Sequence, residues 1–180
     1  MEKMFNKRIE NFKLLKEQEN NILKAVEMIL EAFKGGNKIF FCGNGGSASD
    51  ANHLAAEFIS RFKKERISLP AISLSANNSI LTAISNDYDF KNIFSRQIEG
   101  LAKENDVLIG ISTSGKSENV LNAFVEAKKK KVKTIFLTGK NKSNAVVDLE
   151  INAPSEITAE IQELHIAIGH IIAELVEKEF

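Results

Sequence analysis

The stretch KIFFCGNGGSASDANHLAAEFISR, residues 38 to 61, reads as a strand, a loop and a helix in that order. Lys38 to Cys42 is a short apolar run, the mark of a buried strand. Gly43-Asn44-Gly45-Gly46-Ser47 breaks it, and a helix is expected from about Ala48 to Arg61. The same alternation continues downstream. Pro70 to Leu74, Val107 to Ile111, Thr134 to Leu137 and Leu149 to Asn152 read as four more strands. Ile80 to Ser85 and Phe90 to Leu101 read as helices flanking a turn at Asn86-Asp87. Further helices are expected from about Glu118 to Lys131 and from Ile157 onward. Strands alternating with helices predict an α/β fold, a three-layer αβα sandwich around a mostly parallel five-stranded sheet with right-handed crossovers. Ligands bind such sheets at the carboxyl ends of the strands, often where the strand order reverses.

Upstream of this unit, residues 2 to 34 carry Phe5, Ile9, Phe12, Ile22, Val26, Ile29, Leu30 and Phe33 at mostly helical spacing. This predicts a long N-terminal helical segment, bent near Gln18 to Asn20 and closed by Gly35-Gly36-Asn37. With no internal repeat and no low-complexity linker, residues 1–180 read as one domain, with 1–34 as its helical extension.

Composition removes several function classes. The 24 basic and 24 acidic residues balance, which argues against a nucleic-acid or membrane-surface protein held by net charge. Cys42 is the single cysteine, so neither an intrachain disulfide nor a four-cysteine zinc site is available. The first twenty residues are charged throughout and contain no apolar signal core, and no apolar run reaches the ~20 residues of a membrane span. A cytoplasmic protein is expected.

Two loops follow strands directly. The first, Gly43 to Ser47, lets the backbone approach a ligand and is followed by free helix amides. On its own it is equally well read as an ordinary strand-to-helix turn. It matches neither common nucleotide-binding loop. The second, Ser112-Thr113-Ser114-Gly115-Lys116-Ser117, gathers four hydroxyl side chains around one glycine ahead of a helix. Hydroxyls and helix-terminal amides together form a phosphate cradle that needs no metal. A helix cap would explain Ser117 but not the other three hydroxyls.

His53 and Glu57 are four residues apart on one helix face, where they can hold a metal or move protons. His165 and His170 lie in the apolar last helix with Glu160, Gln162 and Glu163. A lone histidine among apolar neighbours is more often a satisfied core residue than a ligand. Lys128 to Lys131 end a helix, suit its dipole and read as a solvated face.

The segments GNGGSASDANHLAAEFISRF, LPAISLS, SNDYDFKNIFSRQIE, DVLIGISTSGKSENV, TIFLTG and IQELHIAIGHIIAELVE, in that order, resemble the phosphoheptose isomerase family of the SIS fold, from about Phe33 onward. The resemblance implies a homotetramer that interconverts sedoheptulose 7-phosphate and D-glycero-D-manno-heptose 7-phosphate through an enediol. That reaction opens bacterial ADP- or GDP-heptose synthesis for lipopolysaccharide or capsule. It implies Glu57 and His170 as the acid–base pair, with no nucleotide cofactor. It implies substrate contacts from Asn44, Gly45, Gly46, Ser47, Glu57, Asn86, Asp87, Ser112, Thr113, Ser114, Ser117 and Gln162. In its zinc-binding members the ligands match His53, Glu57, Gln162 and His170, one zinc per subunit. An aspartate found in some members just before the IQE motif is replaced here by Ala159, which therefore receives no role.

Gln162 and His170 stand eight residues apart. One straight helix would separate them by about 12 Å and turn them by about 80°. The expectation is therefore that His53, Glu57, Gln162 and His170 converge only in the tetramer, with Gln162 and His170 from different subunits. Two rivals share these segments: a non-catalytic scaffold like the DnaA initiator-associating protein, and an isomerase for another sugar phosphate. Glu57 and His170 together favour an enzyme over the scaffold.

Overall fold

The structure is a computed structural model that describes residues 1–180. The helical segment is α1 (Glu2–Leu15), a 3₁₀ turn at Lys16–Gln18, and α2 (Glu19–Lys34). The turn lies about two residues ahead of the bend expected near Gln18 to Asn20, and Glu19 and Asn20 already belong to α2. The core of the fold then runs β1 (Ile39–Gly43), α3 (Gly46–Ile59), β2 (Ala71–Ser73), α4 (Asn78–Asp87), α5 (Ser95–Leu101) and β3 (Val107–Ile111). It closes with α6 (Glu118–Lys129), β4 (Lys133–Thr138), β5 (Leu149–Asn152) and α7 (Thr158–Glu177).

All five strands are parallel, in the order β2-β1-β3-β4-β5, so no antiparallel member qualifies the sheet. Both faces are covered, which is why β1 and β3 read as unbroken apolar runs and are buried at every residue. Alternate side chains divide between two cores. Ile39, Phe41, Ile109 and Leu137 pack with α2, α3 and α7 on one face. Phe40, Cys42, Leu108 and Phe136 pack with α5 and α6 on the other. Strand order reverses between β1 and β3, so the glycine loop and the serine loop leave neighbouring strands at the switch point.

Two local expectations change. Asn86 and Asp87 form the last turn of α4 rather than a separate turn, because Asn77 caps this helix by accepting from the Ile80 N–H and the helical path runs on to Asp87. The segment after it is a 3₁₀ turn at Phe90–Asn92 followed by the short α5.

Candidate active site

α3 begins directly on the glycine loop. Gly45 adopts φ +56, a conformation that favours glycine, and occupies the N-cap position. Gly46 faces the Gln162 side chain so closely that a Cβ there would collide with its amide. Further along, Gly169 of α7 lies against Leu54 of α3, and a Cβ at Gly169 would strike the leucine. Residues 46 and 54 of α3 therefore face residues 162 and 169 of α7, so the two helices lie side by side and point the same way.

That register carries the chemistry. One residue past Gly169, His170 reaches His53, with the two Nε2 atoms 2.9 Å apart. Glu57 Oε1 lies 3.2 Å from His53 Nε2. One ligand atom from each of His53, Glu57 and His170 falls within 4.8 Å of the others. The expectation of convergence only between subunits is corrected for these three groups, which meet within one chain. The physical reason is the parallel packing of α7 on α3. The helix geometry that keeps Gln162 away from His170 says nothing about what a second helix brings to each of them. Gln162 itself sits beside Gly46, at the other end of the shared groove.

The chain also fits a cation here. Two imidazole Nε2 atoms face each other, and without a shared proton their lone pairs repel; a metal ion satisfies both. The 2.9 and 3.2 Å separations are close to the ~3.3 Å expected between tetrahedral ligands whose bonds are about 2.0–2.1 Å long. Burial holds the His170 imidazole below its ordinary pKa, and the neighbouring His53 adds to this while Glu57 opposes it. A neutral imidazole is the form that binds metal or accepts a proton.

The surroundings hold this cluster in place. Arg66 donates from Nη2 to the Glu57 carbonyl and from Nη1 to the Phe58 carbonyl, both at 2.8 Å, and so caps the end of α3. Buried Glu177 accepts from the backbone N–H of Lys63 at 2.9 Å and of Lys64 at 3.1 Å. This anchors the loop that sets the Phe62 ring 5.2 Å from the His170 ring. Asp50, one turn before His53, has its pKa raised to about 6 by burial against the pull of His53, and one carboxylate oxygen is buried without a partner. Arg66, Glu177 and Asp50 escaped the sequence reading. Only Asp50 had a usable signal, its place three residues before His53 and seven before Glu57 on one helical face.

The serine loop is preorganised. Ser112 Oγ lies 2.9 Å from Ser117 Oγ and 3.4 Å from Ser114 Oγ. Ser117 occupies the N-cap of α6 but makes no capping hydrogen bond, so its hydroxyl is turned to the loop. The two loops are clasped together by a reciprocal amide pair, Asn44 to Asn119 and Asn119 to Asn44, each 2.8 Å. Asn119 is a further residue missed in the sequence, since its partner lies 75 residues away. Ser47 is buried at the start of α3. Asn86 donates to Asp87 at 2.8 Å, and this exposed pair makes no hydrogen bond to either loop or to the histidine cluster.

His165 is distinct from the other two histidines. It is fully buried, its Nε2–H donates to the Thr138 carbonyl at 2.9 Å, and its pKa is pushed down to about 4 by burial. It is a core histidine, paired at Nε2 and buried without a partner at Nδ1, whereas His53 and His170 face each other across the groove.

The SIS domain model matches residues 5–139. A phosphoheptose isomerase of Nitratiruptor sp. is 55% identical over 170 residues, 93% of this chain and 91% of that protein. One from Clostridium acetobutylicum is 50% identical over 171 residues, 93% of this chain and 87% of that protein. Among solved structures, the phosphoheptose isomerase of Neisseria gonorrhoeae superposes with a TM-score of 0.91 at 36% identity, covering 97% of this chain and 95% of that one. The Francisella tularensis enzyme gives a TM-score of 0.94 at 33% identity, covering 98% and 96%.

Proposed function

The chain belongs to the SIS domain family, among its phosphoheptose isomerases, and on that footing we propose that it interconverts sedoheptulose 7-phosphate and D-glycero-D-manno-heptose 7-phosphate. The observation that carries this reading is the meeting of Glu57 and His170 within one chain, with the hydroxyl loop leaving the strand beside β1 at the switch point.

From the ketose, one base removes a proton from C1 while the C2 carbonyl oxygen gains one, giving the cis-enediol. Returning a proton to C2 and removing one from O1 completes the aldose, so no net proton is consumed. Glu57 and His170 serve the carbon and oxygen transfers. Ser112, Thr113, Ser114 and Ser117 hold the phosphate, with the amides at the start of α6. Asn44, Gly45, Gly46, Ser47 and Gln162 line the sugar, and Asn86 and Asp87 are assigned to substrate on the family resemblance alone. His53, Glu57 and His170, with Gln162 from a neighbouring subunit, would hold one zinc ion per subunit. Bound zinc would polarise the carbonyl oxygen. No nucleotide takes part in this proton transfer.

We infer a homotetramer of one-domain chains in the cytoplasm. Its support is the face of α1, where Phe5, Ile9 and Phe12 are 60, 53 and 47% exposed, and the half-open His53, which a neighbouring subunit would cover. No helix is long and apolar enough to cross a membrane.

The test is incubation of purified protein with sedoheptulose 7-phosphate and separation of the heptose phosphates. Appearance of the manno-heptose ester at equilibrium is expected. No conversion at any zinc concentration would overturn the reading.

A further inference from the structure

Beside the serine loop, on the α6 side of the sheet, lies a second cleft of about 1260 Å³. Small-ligand pockets typically measure roughly 300–1,000 Å³, so this one admits something larger than a seven-carbon sugar phosphate. Its walls are α6 and the segment between β4 and β5, and Thr113 to Lys116 of the serine loop close one end. Five lysines line it against two glutamates, on a chain whose charges balance at 24 and 24. Lys129 and Lys140 are paired with Glu126 and Glu156, at 2.7 and 3.8 Å. Lys116, Lys128 and Lys142 form no ion pair. Cations gathered in a concave site concentrate anions there.

The cleft is apolar as well as basic. Val125 and Val146 are 58 and 72% exposed, one on α6 and one on the segment between β4 and β5, and Leu121 lines the cleft and packs against the core. Two exposed valines lining one space offer apolar surface from both walls, and a wholly polar sugar would gain little from it. A flat ring would gain more. Free lysines stand on both walls, Lys116 and Lys128 on the α6 side and Lys142 on the other, so a ligand engaging both needs more than one anionic group. The wall is anchored: Ser143 donates to Glu150 from its N–H at 2.7 Å and from Oγ at 3.1 Å. It also touches the serine loop, since a Cβ on Gly115 would lie 3.3 Å from that of Ser143.

We propose that this cleft is a second ligand site that takes an amphipathic polyanion of the nucleoside diphosphate class, ring between Val125 and Val146 and phosphates on Lys116, Lys128 and Lys142. It contains none of His53, Glu57 and His170 but borders the phosphate loop through Thr113 and Ser114, so the variants that test it lie on Val125, Lys128, Lys142 and Val146, outside that loop.

Calorimetric titration of the whole protein with ADP, pyrophosphate and adenosine tests it. ADP should bind once per chain, at least tenfold tighter than either fragment. Lys128→Glu with Lys142→Glu should weaken ADP tenfold or more. Val125→Asp with Val146→Asp should weaken ADP while leaving pyrophosphate unchanged. Both double variants should keep wild-type circular dichroism and wild-type turnover of sedoheptulose 7-phosphate. The proposal falls if ADP gives no heat at millimolar concentration. It also falls if pyrophosphate binds as tightly as ADP, or if the lysine double variant binds ADP like the parent, which would move the phosphates to the serine loop.

Discussion

Glu57 and His170 are separated in sequence yet share one groove, and each is expected to be needed for proton transfer. Replacing Glu57 by Gln or His170 by Gln should lower kcat by on the order of a hundredfold or more, the usual cost of losing a positioned acid or base. Initial rates on sedoheptulose 7-phosphate check this, and wild-type rates in both variants would remove the pair from the reaction. His53→Ala should abolish zinc uptake as read by metal analysis of dialysed protein, since it removes the nitrogen that lies nearest both other groups. Retention of one zinc per chain would refute the ligand set. His165 predicts a pH effect on stability. Its folded pKa of about 4 lies below the unfolded value of 6.5, so the unfolded chain binds the proton first. The stability this neutral imidazole contributes is complete above pH 6.5 and is lost as pH falls towards 4, by up to ~3 kcal/mol. Asp50, raised from 3.8 to about 6, works in the opposite sense over an overlapping range, so the measurement is a difference. Urea midpoints at pH 5 and pH 7.5 should diverge more in the parent than in His165→Gln, which keeps a donor for Thr138 but cannot titrate. Equal divergence would show that His165 is not the group responsible.

At the scale of elements, the packing of α7 on α3 is the determining contact. Gly169→Val should push the helices apart at Leu54, cost about 1–3 kcal/mol in urea unfolding, and lower activity by moving His170 from His53. A stable, fully active variant would mean the contact is slack. The elements themselves were largely legible, because both signals that mark them are local. Unbroken apolar runs such as Ile39 to Cys42 announce strands covered on both faces, and a stripe such as Ala51, Leu54, Ala55 and Phe58 announces a helix. The serine loop was legible for the same reason: four hydroxyls lie within six residues. What was not legible depends on partners far away in sequence. The Asn44–Asn119 clasp, the Arg66 cap and the Glu177 anchor look like ordinary surface residues until the fold pairs them. The Asn86–Asp87 turn was misplaced because those residue types favour turns, and here the helix continues through them.

For the whole molecule, α1 is the element a single chain leaves unfinished. It buries only Asn11 and Leu15, and is held to α7 by Arg8 on Glu163 at 2.9 Å and Asn11 on Glu160 at 2.8 Å. Its exposed Phe5, Ile9 and Phe12 should be covered by other copies. Ile9→Asp with Phe12→Asp should convert a tetramer to smaller species by light scattering while leaving the secondary structure intact. A parent that is already monomeric at working concentration would refute the assembly.

The histidines that meet at 2.9 Å are 117 residues apart along the chain. Such a contact closes a very long loop, and contacts of this span are entropically the slow ones to make. In a refolding experiment, helical signal should therefore return ahead of turnover. The groove acts as a clock that strikes only when the first strand–helix unit and the final helix have found each other.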